Sequence, residues 1–571
     1  MQKITLTGLF SLLIFNLKAQ STYVPLNADY YHLLDRYEIK LGKFNDGMQA
    51  SFKPFTRKTA VLIAEKTLYT DSLNLFDNYS DRDVFNLQNI IADNWEWSRS
   101  EYSKVAFSTK TPINNLYKRK ADTYSFQSKE HDLHVSPIFN FSGGFETNSK
   151  TNTFINTRGI EIRGTINNKV GFYTQFTENQ VLGQTNVKDY INYYNAFPGE
   201  SFVKINRDKT KNLLLSDFIS ARGYITFNPV KAIQLQFGHD KNFIGAGSQS
   251  ILLSDASAPY LFLKAQTSIG RLQYTNIFAQ LINTQQDPKL INAGSQGVIP
   301  PKYMAVHRLG INFTNNFNMG FFEAISFGKR RVGFDPNYLN PAIFYRFVEG
   351  HLGSPDNSMI GLDAKLNLKR HVSIYGQLLV DEFKLDSLKK SKGWRANKVG
   401  YQFGFKYIDA FNIKNLDFQF EHNRVRPYTF QHFSTYSSYV HYNQPIGHSY
   451  GANFTQSMFI LRYQPSKRFS LTTTAMLSDR GLDTDKNNWG GNILRNYENY
   501  PREFGNFIGQ GQLLNTNYLE INGSFMILHN LFVDATITNR NMDSADNAKD
   551  LKNLGFQIGL RLNTARRQFI Y

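Results

Sequence analysis

The 571-residue sequence contains no cysteine, which excludes disulfide scaffolds, thiolate zinc sites, cysteine nucleophiles and attachment of lipid to an N-terminal cysteine. Charge is sparse: Asp, Glu, Lys and Arg make up 19% of the chain, below the roughly one quarter usual in soluble domains. Long apolar runs are missing too. No segment reaches the 18 or so apolar residues of a helical membrane span, and the mean hydropathy is −0.41. What the chain has in quantity is aromatic residues, with 48 Phe and 32 Tyr. Many aromatics on a polar chain is the composition of a membrane β-barrel, whose strands carry one apolar and one polar face. Strings of soluble β-sandwiches are the alternative for so long a chain.

Lys and Arg number 64 against 46 Asp and Glu, a formal net charge of +18. Met1 to Gln20 reads as a secretory signal, with Lys3 as the charged start, Ile4 to Leu17 as a mostly apolar core and Ala19 as the small residue before cleavage. Residues 1–19 are therefore expected to be a leader and the mature chain to be exported. Removing the leader takes away only Lys3 and Lys18, so the chain stays basic enough to attract lipopolysaccharide or acidic glycans. An exported chain without basic runs is not expected to bind nucleic acid.

From Tyr30 to about Trp97 apolar residues fall at helical spacing, with Thr56 and Ser80 as N-caps and Ser80-Asp81-Arg82-Asp83 approximating a capping box. Residues 20–130 are read as a small helical domain followed by a Lys-, Ser- and Asn-rich connector. After His131 the period changes to two, as in Leu416-Asp417-Phe418-Gln419-Phe420-Glu421. Strands are expected to start near Leu133, Asn152, Lys169, Ile219, Lys231, Tyr260, Gly270, Lys302, Phe317, Ser358, His371, Ala396, Ile413, Tyr450, Lys467, Leu514, His529 and Asn553. That makes an antiparallel all-β transmembrane barrel of about 18 strands over 131–571, the even number such barrels require. Tight turns at Asn167-Asn168, Asn228-Pro229, Ile269-Gly270, Asn315-Asn316, Lys369-Arg370, Asp409-Ala410 and Pro465-Ser466 alternate with long, turn-rich stretches. The short connection Thr147 to Thr151 is the exception. Because short turns face the periplasm in these barrels, the parity puts the helical domain on the periplasmic side. The closing Phe569-Ile570-Tyr571 resembles the terminal aromatic signal for outer-membrane insertion.

No catalytic motif survives inspection: Gly245-Ala246-Gly247-Ser248 lacks the nucleophile-elbow spacing, and His131 and His134 at a strand entrance point to opposite faces, which argues against a metal pair. No catalytic residue, metal or cofactor is expected. Three long-loop segments are distinctive in composition: Gly238 to Asp255, Arg330 to Glu349 and Tyr442 to Gly451. Polar side chains interleaved with Tyr and Phe suit carbohydrate, whose hydroxyls need paired polar partners and whose ring faces stack on aromatics. In this reading Lys241, Arg346 and His448 donate, Asp335 and Asn340 fix hydroxyls, Tyr338 and Tyr450 stack, and Asn242, Glu349 and Gln444 complete the site. The competing reading folds these loops inward to satisfy one another as a lumen plug, and the two are compatible. An open diffusion porin is a further alternative.

These segments also carry a resemblance. Tyr31-His32-Leu33-Leu34-Asp35-Arg36-Tyr37-Glu38-Ile39, Lys53-Pro54-Phe55-Thr56-Arg57, Lys241-Asn242-Phe243-Ile244-Gly245 with Leu252-Leu253-Ser254-Asp255, Asp335-Pro336-Asn337-Tyr338-Leu339-Asn340-Pro341 and Asn443-Gln444-Pro445-Ile446-Gly447-His448 resemble the Wzi-like capsule-assembly family, and more closely its gliding-motility RemB-like branch. The resemblance implies an 18-stranded barrel with a periplasmic helical bundle. It also implies a non-enzymatic role in holding or assembling surface polysaccharide, or a surface role in gliding and adhesion. The rival reading is a structural component of the gliding-motility or secretion apparatus, in which the helical domain from Tyr30 to Trp97 docks a periplasmic protein partner; in either reading the barrel wall meets outer-membrane lipid.

Overall fold

The computed structural model describes residues 20–26, 29–44, 49–72, 79–98, 101–108, 116–147, 152–201, 203–208, 213–283, 301–328, 333–353, 355–382, 393–547 and 549–571. The leader expected over 1–19 lies outside the described residues, as do most of the connection at 147–151, residues 330–332 and most of the stretches at 283–301 and 382–395.

Alternation drives the architecture. Among the described residues, eighteen antiparallel strands close into one barrel: β1 (Asp132–Glu146), β2 (Thr153–Ile166), β3 (Val170–Leu182), β4 (Leu213–Val230), β5 (Ile233–Asp240), β6 (Tyr260–Ile269), β7 (Leu272–Ile282), β8 (Pro301–Asn312), β9 (Phe317–Gly328), β10 (Asn357–Leu368), β11 (Val372–Glu382), β12 (Lys398–Tyr407), β13 (Leu416–Val425), β14 (Phe454–Tyr463), β15 (Phe469–Leu482), β16 (Gln512–Leu528), β17 (Leu531–Ser544) and β18 (Leu551–Leu562). The last strand pairs with the first from Gly555 opposite Glu146 to Leu562 opposite Phe139. The faces are inverted relative to a soluble protein. Phe237 is 50% exposed and Ile537 48%, both on the outside, while Glu421 and Asn423 face inward at 0%. An apolar outside and a polar inside is the distribution a hydrocarbon surround selects.

Each expected strand is present, most starting within three residues of the expectation. The largest miss is β4, which begins at Leu213 rather than Ile219 because Leu213-Leu214-Leu215 does not alternate. β14 begins at Phe454, and Tyr450 lies in the loop before it. Short turns are made by residues that tolerate a left-handed backbone, such as Asn167 and Asn168 at φ 52° and Asn530 at φ 58°.

The N-terminal part forms helices α1 (Tyr31–Leu41), α2 (Arg57–Ser72) and α3 (Asp81–Asp93). Thr56 Oγ1 accepts from the Thr59 N–H at 3.1 Å, and Ser80 and Asp83 make the reciprocal capping box. Leu34, Tyr37, Ile63, Leu87, Ile90 and Ile91 form a common core. The bundle caps the short-turn end of the barrel. Phe44 N donates to Asn315 O at 2.7 Å, and Arg82 Nη1 donates to Gln464 O at 3.0 Å. The segment read as a connector contains a 3-10 turn, Glu101–Ala106, and a short strand, Tyr124–Gln127, paired to β1. His134 is buried against Asp122 at 2.8 Å, whereas His131 is exposed, so the two do not converge, and no group of three metal-ligating side chains occurs among the described residues.

The terminal aromatics correct the sequence reading. The barrel ends at Leu562, and Asn563–Tyr571 turns back into the lumen instead of completing a strand. Phe569 packs with Phe197 and Phe218, and Tyr571 lies against Tyr190. Arg566 Nη2 donates to Glu520 at 2.7 Å, and Arg540 Nη2 donates to Phe569 O at 2.8 Å. The polar lumen wall thus supplies partners for the tail's backbone and charges.

Candidate functional site

The first and third distinctive segments fold inward and meet at the barrel axis. Ile251, Leu252 and Leu253 are fully buried, and lumen side chains satisfy the backbone around them. Glu421 accepts from the N–H groups of Ser248 and Gln249 at 2.7 and 3.1 Å, and Gln377 Nε2 donates to Ile244 O at 2.7 Å. Phe243–Ile244 pairs with Phe52–Lys53 of the helical part. Ser254 N donates to Ile446 O at 2.9 Å, and the Tyr439 hydroxyl donates to Leu252 O at 3.0 Å. A buried loop requires this accounting of its polar backbone, and lumen glutamines and glutamates provide it.

Five of the ten expected residues sit in or beside this plug. Lys241 Nζ donates to Gly199 O at 2.8 Å and Asp255 O at 2.9 Å. Burial, reinforced by Arg222, lowers its pKa to about 8. Asn242 Oδ1 accepts from Lys264 at 3.1 Å. Gln444 bridges the loop after helix α4 (Thr185–Tyr194), accepting from Gly199 N and donating to Glu200 O, both at 2.7 Å. His448 Nε2 lies 3.1 Å from Gln456 Oε1, and burial keeps the ring neutral with a pKa near 3. Tyr450 is buried with its ring under the Arg480 guanidinium at 4.3 Å, so its face is already occupied.

Beside the plug lies a cavity of about 330 Å³, within the range of small-ligand sites. Lys241 and His448 line it, together with Arg222, Glu200, Asp255 and the tail from Thr564 to Tyr571. Arg567 Nη2 reaches Asn179 at 3.0 Å and Glu200 at 3.5 Å. Hydroxyl and amide side chains complete the wall, including Thr157, Gln175, Thr177 and Ser220. Arg222, Glu200 and Arg567 were missed from sequence, since Arg222 is one inward position of a long strand and the tail read as an insertion signal.

The other five residues are elsewhere. Asp335 accepts from Asn337 N at 3.1 Å and so caps its own 3-10 turn, Pro336–Leu339. Asn340 Oδ1 accepts from Ala342 N at 3.1 Å. The Tyr338 hydroxyl donates to Asp356 at 2.7 Å, and Arg346 pairs with Glu349 at 2.9 Å on helix α5 (Tyr345–Leu352). This segment packs on outward residues of the wall, including Ala305, Ile325 and Phe327. The structure does not bring Asp335, Tyr338, Asn340, Arg346 and Glu349 to the lumen site.

Against this geometry the comparisons are specific. A family model described as capsule assembly protein Wzi matches residues 139–553. The chain belongs to the Wzi capsule-assembly family. The solved structure of Wzi from Escherichia coli has the same fold at a TM-score of 0.56 and 13% identity, covering 95% of this chain and 100% of that one. OprD of Pseudomonas aeruginosa aligns at a TM-score of 0.40 with 10% identity, over 75% of this chain and 94% of that one. OccAB3 of Acinetobacter baumannii aligns at 0.41 with 9% identity, over 76% and 99%. Comparison with curated protein sequences gives no match.

Proposed function

We propose that this member of the Wzi family is a non-enzymatic outer-membrane barrel that holds or helps assemble surface polysaccharide. The family match over 139–553 is the observation that carries the reading. The Escherichia coli protein of like fold is described as an outer-membrane protein involved in group 1 capsule assembly and as a carbohydrate-binding β-barrel. The inverted faces fit a membrane, and the capped short-turn end belongs on the periplasmic side. The chemistry of the lumen cavity supports the same reading. Arg222, Lys241 and Arg567 offer cationic donors for an acidic sugar, while Glu200 and Asp255 offer acceptors for hydroxyls.

The test compares cell-bound and released surface polysaccharide with and without the protein. The expected result is an unchanged total with material shifted into the medium, and an unmoved distribution overturns the reading. Arg222→Ala with Lys241→Ala is expected to reproduce the shift. Joint substitution of Asp335, Asn340 and Arg346 by Ala, on the outer wall, is expected not to. Surface spreading of the deletion strain scores the gliding role implied by the sequence resemblance: unchanged spreading removes it.

A further inference from the structure

On β8 the even residues Met304 and Val306 face the lumen core, so Ala305 and His307 face outward. On β9 Phe322 and Ala324 face inward, so Glu323, Ile325 and Phe327 face outward. Outward residues of a membrane barrel meet lipid, yet these five are all buried. Residues 333–353 cover them. The Tyr345 hydroxyl is hydrogen-bonded to His307 Nε2, and Glu323 Oε1 accepts from Arg346 N at 3.0 Å. The Tyr338 and Phe327 rings lie 4.6 Å apart.

The strap lies well down the wall. The Tyr274 hydroxyl donates to Pro341 O, and Tyr274 is the third residue of β7 counted from the short-turn end. Glu323 is in register with Ile360, an exposed apolar residue of the outer face, and Phe321 beside it is exposed as well. The strap therefore runs inside the apolar belt. Its own outer surface is unsuited to bare lipid. Asn340 to Phe344 joins a 3-10 turn to α5 without belonging to a strand, and irregular backbone at membrane depth is tolerated only when covered by protein. Phe344 is 76% exposed, Phe347 68% and the Arg346 side chain 66%, so aromatic rings and a cation share one face.

We propose that this outer face of the strap is where two copies of the chain associate within the membrane. The patch is complementary to itself. Arg346 and Glu349 carry opposite charges three residues apart on α5 and pair with each other at 2.9 Å, Arg346 being 66% and Glu349 15% exposed, so an antiparallel pairing about a two-fold axis lets each Arg346 exchange to the partner's Glu349 at the edge of the contact and buries Phe344 and Phe347 between the helices. Self-complementarity of this kind is what an isologous interface demands. The proposal does not rest on the polysaccharide reading.

The absence of cysteine makes the test clean. Phe347→Cys, in the full chain in native outer membranes, is expected to give a disulfide-linked product of twice the monomer mass on mild oxidation. Ile537→Cys, exposed on β17 eight strands away, is expected to stay monomeric. In mild detergent the unmodified protein is expected at twice the monomer mass, Arg346→Glu as a monomer, and Arg346→Glu with Glu349→Arg as a dimer again. A monomeric Phe347→Cys product, equal cross-linking of Ile537→Cys, or a product with a protein of another mass overturns the proposal. So does failure of the charge swap to restore the dimer.

Discussion

Arg36 shows how one side chain fastens the helical cap. It is almost wholly buried and donates to Asp83 at 2.9 Å, to Asp409 at 2.6 Å and to Asp417, with Lys40 adding contacts to Asp83 at 3.2 Å and Asp409 at 2.7 Å. Arg36→Met strands three acids around one remaining ammonium. Removing one partner of a buried charge cluster costs about 3–5 kcal/mol, so the thermal midpoint of the cap is expected to fall while the barrel keeps its own. The same cluster sets a pH response. Burial alone would raise the Asp83 carboxyl, but Arg36 and Lys40 hold it near 2, below the ordinary value of about 3.9. A depressed carboxyl stabilises the fold above its unfolded pKa, and that stability drains away as pH falls from about 4 to about 2. Burial also lowers His32 to about 4, so the unfolded chain takes up its proton first and stability already declines as pH drops from about 6.5 to about 4. Acid is therefore expected to loosen the cap, read as faster hydrogen exchange of Asp81–Asp93 below about pH 5. At this scale the caps Thr56 and Ser80 were legible because their partners lie three residues away. Of the partners of Arg36, Asp83 lies 47 residues on and Asp409 and Asp417 lie 373 and 381 residues on, where no local pattern points back.

Among elements, strands were the most legible part, since alternation and turn chemistry are local. Whether a loop folds inward or outward was not. The segments around Lys241 and Asp335 are alike in composition, yet one meets lumen glutamines and glutamates and the other meets outward Tyr, Phe and His. Which wall a loop finds is decided by the parity of strands far away in sequence. Asp335 and Asn340 look like sugar ligands because a residue that hydrogen-bonds a hydroxyl also hydrogen-bonds its own turn. The tail was misread for a related reason: an aromatic end suits a strand terminus and a lumen core equally. Joint replacement of Phe569 and Tyr571 by Ala removes its packing against Phe197 and Tyr190. Such half-buried rings are worth about 1–3 kcal/mol, so a lower thermal midpoint with unchanged strand content by circular dichroism is expected.

For the whole molecule, the described residues leave a wide barrel largely filled, with a cavity of about 330 Å³ beside the plug. The helical cap covers the short-turn end, the loop plug crosses the axis and the tail fills much of what remains. Eighteen strands enclose enough space for an aqueous channel, which made a porin a fair alternative from sequence. The filled lumen predicts no steady ionic current in planar bilayers, and a stable open conductance of the intact protein would contradict it.

The position of the tail also dictates an order of assembly. Residues 564–571 follow the closing strand in the chain, yet they lie inside the cylinder that this strand seals against β1. Threading an aromatic, arginine-bearing peptide into a finished, plugged tube would mean pulling charges past a packed core. The tail runs beside the seam, so it can be laid against the open sheet before the edges meet. These residues, which follow the closing strand, would then have to be in place before the cylinder shuts, so closure of the seam waits on the packing of the lumen.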